Sequence, residues 1–333
     1  MTSDLSHKIT IQANDDSRPL VSMVIASFNH AQYVRASIRS VTEQDYDNIE
    51  LIVIDDGSTD NSIARIEEMI PECQARFRRF EFRARPNKGL TETLNEGLAW
   101  ARGPYFACLA SDDVLFPQKT STLVSEIQAA PDLAGVFGGC VLIDSAGQIV
   151  GTQRPRAVVY CFADILASNH WIVASCQLLR RDAVLQAGGY PRGLNIEDWY
   201  MWLKLTEHGA GLKVVPDVLV QYRQHETNLS RDAKKMLEAR KMILDRFTDH
   251  AGIQFAKGKV FLAAAIDFSR SSKPESFGYL VSALEQHLPI LFTARFWNAC
   301  ARTVTPVVVL DALKKMKTRV LTDGRRSVRR PSF

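Results

Sequence analysis

The chain has 333 residues, of which 46% are hydrophobic and 23% charged, with a formal net charge of +4; this is the balance of a folded protein with one large domain or two ordinary ones. Its six cysteines, at 73, 108, 140, 161, 176 and 300, form no CxxC pair and several sit in apolar runs, which argues against a disulfide or zinc framework. No window reaches about 18 uninterrupted apolar residues, so no transmembrane helix is predicted.

In chain order, residues 1–19 carry no apolar signal core and read as a flexible leader, so a cytoplasmic location is expected. VSMVIA (21–26) reads as a buried strand, followed by a helix in which Val34, Ile38 and Val41 recur at helical spacing. LIVI (51–54) is the second strand, and its helix, starting near Ser62, puts Ile63, Ile66, Met69 and Ile70 on one face. FRRFEF (77–82) is a weaker third strand; its helix, from about Leu90, sets Leu90, Leu94 and Leu98 on one stripe. YFACLA (105–110) is a fourth buried strand. This alternation predicts an α/β fold with a mostly parallel sheet and helices on both faces. VFGGCVLID, SAGQ and IVG then predict a hairpin at the sheet edge, so the second half becomes mixed. WIVASCQLLRR is a further strand, and Glu197-Asp198 open a helix with a stripe of Trp199, Trp202 and Leu203. VLVQYRQHETNLS (218–230) closes the series as a strand with Arg223 and His225 near its end.

The second strand runs LIVIDDGSTD, four apolar residues followed at once by Asp55 and Asp56. Gly57 allows a tight turn, and Ser58, Thr59 or Asp60 is placed to cap the next helix. Alone, Asp-Gly-Ser is ordinary turn chemistry. The fourth strand, however, runs into Ser111-Asp112-Asp113, and ligands of such sheets bind beyond the carboxyl ends of the strands. Four carboxylates on one edge repel one another unless a cation or a hydrogen-bonding ligand joins them. A divalent cation, Mg2+ or Mn2+, carrying a diphosphate would do so. The first strand ends in Ala26-Ser27-Phe28-Asn29-His30, with small residues for close backbone approach and an aromatic face able to stack on a base. Arg83, Arg85 and Lys88 suit pairing with phosphate and equally suit a plain solvated loop. No GxGxxG follows the first strand and no GxxxxGK[ST] occurs, which argues against a dinucleotide oxidoreductase or a P-loop enzyme. Glu197 and Asp198 have a plain alternative as acids favoured at a helix N-terminus, and a lone His225 is more often structural than a ligand.

Taken together, five segments resemble the inverting, GT-A fold glycosyltransferases of family 2, which move a sugar from a nucleotide-sugar to a hydroxyl. They are the opening VSMVIASFNHAQYVRASIRSVTEQDYDNIELIVIDDGSTDNS, then NKGLTETLNEGLAWARG, LASDDVLFP, IEDWYMWLKL and YRQHETNLS, in the family's order over about residues 20 to 230. The resemblance implies that Ala26, Ser27 and Phe28 line the nucleotide pocket and that Asp55 and Asp56 bind base and ribose, with Asp56 on the base. It places Lys88 at the diphosphate, Ser111 and Asp112 among the donor-binding residues, and a Mn2+ or Mg2+ ion on Asp112, with Asp113 in support and His225 completing the ligands. Asp198 becomes the general base, with Glu197 the second choice. The implied donor is a nucleotide-sugar, preferably a UDP-sugar, and the implied acceptor a glycan or lipid-linked glycan. One departure stands out: many members read Asp-Ser-Asp-Asp where this chain reads Ala110-Ser111-Asp112-Asp113, so an acid that often touches ribose or metal is missing.

From residue 231 the chain carries 20 Lys+Arg against 9 Asp+Glu, a net +11, while the first 230 residues carry −7. The expected division is a leader over 1–19, a glycosyltransferase domain over 20–230 and a basic helical extension over 231–333. LPILFTARFW, TPVVVL, LKKMKTRV and RRSVRR suit a surface helix on anionic lipid. They equally suit a helical extension packed on the catalytic domain or on a second copy in a homo-oligomer; nucleic acid is not expected. Two rival functions remain: a nucleotidyltransferase, for which the signature loop after the first strand is missing, and a catalytically weak nucleotide-sugar scaffold.

Overall fold

The computed structural model describes residues 18–225 and 232–309. All but the end of the expected leader, the ETNLS of the closing segment, and the basic runs LKKMKTRV and RRSVRR lie outside the described residues. The described residues form two compact units, one of 18–165 with 170–225 and one of 166–169 with 232–309.

The first unit follows the predicted alternation: β1 (Val21–Ser27), α1 (Val34–Thr42), β2 (Ile49–Asp55), α2 (Ser62–Glu67), α3 (Ile70–Arg76), β3 (Phe80–Ala84), α4 (Leu90–Trp100) and β4 (Tyr105–Ala110). Then come β5 (Val114–Leu115), α5 (Lys119–Gln128), β6 (Leu133–Ile143), β7 (Ile149–Gln153), β8 (Val158–Tyr160), α6 (Phe162–Leu166), β9 (Gln177–Arg180), α7 (Arg181–Gln186), α8 (Glu197–Thr206) and β10 (Gly211–Arg223). One sheet runs in the order β3-β2-β1-β4-β9-β6-β10-β5, with β7 on β6 and β8 on β10. The first four strands are parallel, and β9 enters antiparallel to both β4 and β6. All seven residues of β2 are buried because successive side chains point to opposite faces and both faces are covered. Met23, Ile25, Leu51 and Val53 join Val34 and Ile38 of α1 and Ile66 of α2 in one core. On the other face α4 approaches β1 so closely that a Cβ on Gly97 would stand 2.6 Å from Val24.

The departures from expectation have local causes. Pro71, in the first turn of α3, divides the second predicted helix in two. Leu90 is exposed whereas Leu94 and Leu98 are buried, since Leu90 begins α4 beyond the sheet edge. The third strand starts at Phe80 and not at 77, because Arg79 turns in to pair with buried Glu50 at 2.5 Å. Of WIVASCQLLRR only Gln177–Arg180 is strand, preceded by a 3-10 turn at Ala174–Cys176. The last strand begins at Gly211, seven residues before the expected start, and passes Pro216 by a register shift between Val214 and Val218.

The second unit contains α9 (Ala233–Leu244), α10 (Ile253–Phe268), α11 (Lys273–Gln286) and α12 (Ala294–Val304). Asp232, Ser272 and Thr293 cap α9, α11 and α12 by accepting from the backbone N–H three residues on. Its core joins Leu262, Ala265, Leu280, Ala283, Ile290, Phe296 and Ala299. Among the described residues no helix is long and apolar enough to cross a membrane.

Candidate active site

In register, Ser27 lies beside Asp55 and Ala26 beside Ala110, so β1, β2 and β4 end in one row at the carboxyl edge. The turns that follow are stapled to each other. Asn29, at φ 54°, accepts from Thr59 N at 2.8 Å, and its own N–H donates to Ser58 Oγ at 2.8 Å. Asp60 accepts from Ala31 N at 3.0 Å and from Ser62 N at 2.9 Å, and so serves the start of α2. Gly57, at φ 78°, leaves no room for a side chain, since a Cβ would stand 2.6 Å from Asn87 N.

Asp55 is fully buried and its carboxylate accepts from Ser27 Oγ at 3.1 Å, Ser58 N at 2.8 Å and Ser58 Oγ at 2.7 Å. Asp55, expected at the ribose, thus also shapes the turn through Ser58. Asp56 accepts from Lys88 N at 2.8 Å and Gly89 N at 2.9 Å and pairs with Arg85, which also reaches Glu96 at 2.7 Å. Asp56 is thereby the buckle between the DDGSTD turn and the RARPNKG loop. Lys88 itself is exposed, and Phe28 is half-exposed at the end of β1. Ser27 and Ser111 are buried. An open hollow of about 490 Å³ beside Arg18, Tyr46 and Val124 contains none of these residues.

At the end of β4 the two acids part. Asp112 meets His225 Nε2 at 2.8 Å and lies 3.9 Å from His30 Nδ1. One ligand atom each from His30, Asp112 and His225 fall within 4.8 Å of one another. Asp113 turns the other way: Ser175 Oγ donates to it at 2.5 Å and Arg223 N at 2.8 Å. Burial first, and the Asp112 charge second, push Asp113 up to about 8. Asp113, expected to support the cation, here accepts from β10 and Ser175. His30 joins Asp112 and His225 instead, a residue that the sequence shows only as part of a strand-end run. Burial holds His30 below its ordinary range, against the opposing pull of Asp112, which keeps a nitrogen lone pair available. Two imidazoles and a carboxylate converging at this spacing fit a divalent cation.

Arg223 and Tyr33 frame the cluster. Arg223 Nε donates to Asp112 O and Nη1 to Asp144 O, each at 2.9 Å, and its guanidinium lies 4.4 Å over the Tyr33 ring. Tyr33 in turn stacks on His225 with centroids 5.7 Å apart.

Glu197 and Asp198 form the first turn of α8, with Trp199, Trp202 and Leu203 buried as predicted. Trp202 Nε1 donates to Gln177 Oε1 at 3.0 Å and Trp199 Nε1 to Ile165 O at 2.9 Å, which fixes the helix start. Asp198 accepts from Trp199 N at 2.7 Å. Burial raises Asp198 to about 6, while burial and then the Asp198 charge raise Glu197 to about 8. Of the two, Asp198 is the one that ionises near neutral pH and can accept a proton. Both acids are felt at Cys108 on β4, whose thiol burial, chiefly, pushes up to about 12.

A parallel sheet whose strand ends gather buried carboxylates and a His-Asp-His cluster, continued by a mixed half, is the arrangement of the GT-A class of glycosyltransferase fold. Residues 22–184 match the model of glycosyl transferase family 2, and the chain belongs to that family. It is 27% identical over 225 residues to an uncharacterized glycosyltransferase of Haemophilus influenzae, covering 64% of this chain and 68% of that one. It is 26% identical over 232 residues to the Escherichia coli UDP-Glc:alpha-D-GlcNAc-diphosphoundecaprenol beta-1,3-glucosyltransferase WfgD, covering 69% and 87%. Some relatives are longer, and the match spans 35% of a Rickettsia felis glycosyltransferase. Among solved structures, S. aureus TarS 1-349 with UDP-GlcNAc superposes with a TM-score of 0.61 at 16% identity over 85% of this chain and 88% of that one. The mannosyltransferase PcManGT of Pyrobaculum calidifontis, with GDP-Man and Mn2+, gives 0.59 at 16% identity over 90% and 87%.

Proposed function

We propose that the protein transfers a sugar from a nucleoside-diphosphate sugar, with a UDP-sugar preferred, to an acceptor hydroxyl, inverting the anomeric carbon. The acceptor is a glycan or lipid-linked glycan in bacterial surface or extracellular polysaccharide synthesis. The observation that carries this reading is the cluster of His30, Asp112 and His225 at the carboxyl edge of a parallel sheet. The relative from E. coli supports the UDP-sugar and the lipid-linked acceptor by its name, and the two structural neighbours support a nucleotide-sugar and, in one case, Mn2+.

Phe28 stacks on the base, and Asp56, with three donors already on its carboxylate and about four acceptor sites in all, retains one for the nucleotide. Ser27 and Ala26 form the floor of the pocket through backbone and small side chains. Lys88, exposed on its loop, faces the diphosphate. Asp112 and His225 hold the Mn2+ or Mg2+ ion, which when bound offsets negative charge on the leaving diphosphate. Asp198 takes the proton from the acceptor hydroxyl as its oxygen forms a bond to the anomeric carbon; the bond to diphosphate breaks on the opposite side, and the nucleoside diphosphate leaves with the electron pair. Glu197, held protonated, leaves a single charge on the acid pair.

The second unit supports a peripheral contact with an anionic membrane surface on the cytoplasmic side. Phe292 and Trp297 are 83% and 62% exposed, and the residues after 309 add eight Lys+Arg against two Asp.

The test is release of nucleoside diphosphate from a panel of nucleotide-sugars with glycan and polyprenol-linked acceptors. Transfer by wild type and its loss in Asp198→Asn, with nucleotide binding retained, supports the reading. Pyrophosphate release from a nucleoside triphosphate and a sugar phosphate would instead identify a nucleotidyltransferase, and binding without turnover a scaffold.

A further inference from the structure

Position 110 is the last residue of β4 and lies beside Ala26 of β1. Its methyl group is exposed and offers nothing to a cation. The chain after β1 returns to this spot three residues later. His30 N donates to Ser62 Oγ at 2.9 Å, which fastens the residue to the start of α2. Its Nδ1 meets Ser111 Oγ at 2.8 Å, a partner that a bound cation would have to displace, and the ring meets that of His225 edge-on, with centroids 5.5 Å apart. The imidazole thus held brings Nδ1 to 3.9 Å from Asp112 Oδ1.

We propose that His30 is a protein ligand of the divalent cation, adding a second imidazole to Asp112 and His225 in a site where Ala110 offers no carboxylate, and that it makes the site selective for cations that accept nitrogen. This rests on the reading above that the edge holds a cation. Two imidazoles and one carboxylate carry one negative charge where two carboxylates and one imidazole would carry two. The bound dication therefore keeps one more unit of positive charge to present to a diphosphate. Imidazole ligands favour later first-row ions, whereas all-oxygen shells suit Mg2+. The expected order of affinity is Mg2+ below Mn2+ below Co2+.

The experiment uses the full chain without nucleotide. Mn2+ binding is followed by calorimetry, and the bound ion by electron spin-echo spectroscopy, which counts coordinated imidazole nitrogens. Wild type is expected to show two imidazoles and His30→Gln one. The Mn2+ Kd should rise in that variant by at least the roughly 10–100-fold that loss of an outer-shell partner costs. His30→Ala combined with Ala110→Asp should recover affinity and move the preference toward Mg2+, a rescue that a merely structural His30 would not allow. Thermal melts of each variant confirm that it is folded. One imidazole in wild type, or an unchanged Kd in His30→Gln beside a lost one in Asp112→Asn, overturns the inference alone. No Mn2+ binding by wild type overturns it together with the cation in the proposed function.

Discussion

Arg223 joins three pieces of chain that sequence keeps far apart, so its removal has a calculable effect. In Arg223→Met the carbonyls of Asp112 and Asp144 each lose a donor at 2.9 Å. A buried acceptor left without a partner costs about 1–3 kcal/mol. Loss of the guanidinium 4.4 Å over Tyr33 adds about 0.5–2 kcal/mol. Water admitted beside Met recovers some of this, so a destabilisation near the low end, about 3 kcal/mol, is expected. At about 2–4 °C per kcal/mol for a domain of this size, the melting temperature should fall by about 6–12 °C. Arg223→Lys keeps the charge but not the planar fork, and should fall between the two. Scanning fluorimetry measures the fall, and Mn2+ titration of the folded variant measures the looser Asp112. A variant that melts within about 2 °C of wild type and binds Mn2+ equally well would refute the clamp.

Asp198→Asn should lower the transfer rate by about 10²–10⁴-fold with donor binding intact; Glu197→Gln should cost less, and equal losses would undo the assignment of the base. Because the proton acceptor must be ionised and burial sets Asp198 at about 6, kcat/KM should fall as pH drops through that value, and a flat profile from pH 5 to 7 would contradict it. Asp56→Asn should raise the donor KM more than it lowers kcat, since it releases the backbone of Lys88 and Gly89; kinetics on two nucleotide-sugars separates the two effects. Gly57→Ala should destabilise the fold, because φ 78° and a 2.6 Å approach to Asn87 N both oppose a Cβ; an unchanged melt would show that the turn yields. The full chain should sediment with anionic but not neutral vesicles, less so in raised salt or as Trp297→Ser, and failure to sediment would remove the membrane from the proposal.

The first half of the fold was legible because buried parallel strands and amphipathic helices write their periods into the chain. VSMVIA, LIVI and YFACLA each became a strand ending at the expected edge. The limits of β9 and β10 were not legible, since they depend on pairing with β6, whose residues lie at least 34 positions away in sequence. The candidate site divided along the same line. Asp112, His225 and the order of Glu197 and Asp198 could be placed from motifs, and the structure brings the first two to 2.8 Å. His30 carried no local signal: only the return of the β1–α1 turn to Ser111, 81 residues later, gives it a role. The departure Ala110 was the one clue available, and it pointed to an absence with no hint of what fills it.

The adjacent acids at the strand ends look alike in sequence and differ in what their neighbours leave free. Asp55 and Asp113 are sealed inside, each accepting donors from a second strand or turn. Their charge organises backbone, so replacing either should be read first as a folding defect. Among the described residues, Asp112 faces the nitrogens of His30 and His225, a grouping of one carboxylate and two imidazoles that suits a cation. Asp56 lies between these extremes, bound by a loop yet with one acceptor site to spare. In the second pair the division is plain: Asp113 is tied to β10 and Ser175 while Asp112 faces two histidines. A double substitution of either pair would confound the two roles; Asp112→Asn with Asp113 intact isolates the chemistry from the fold.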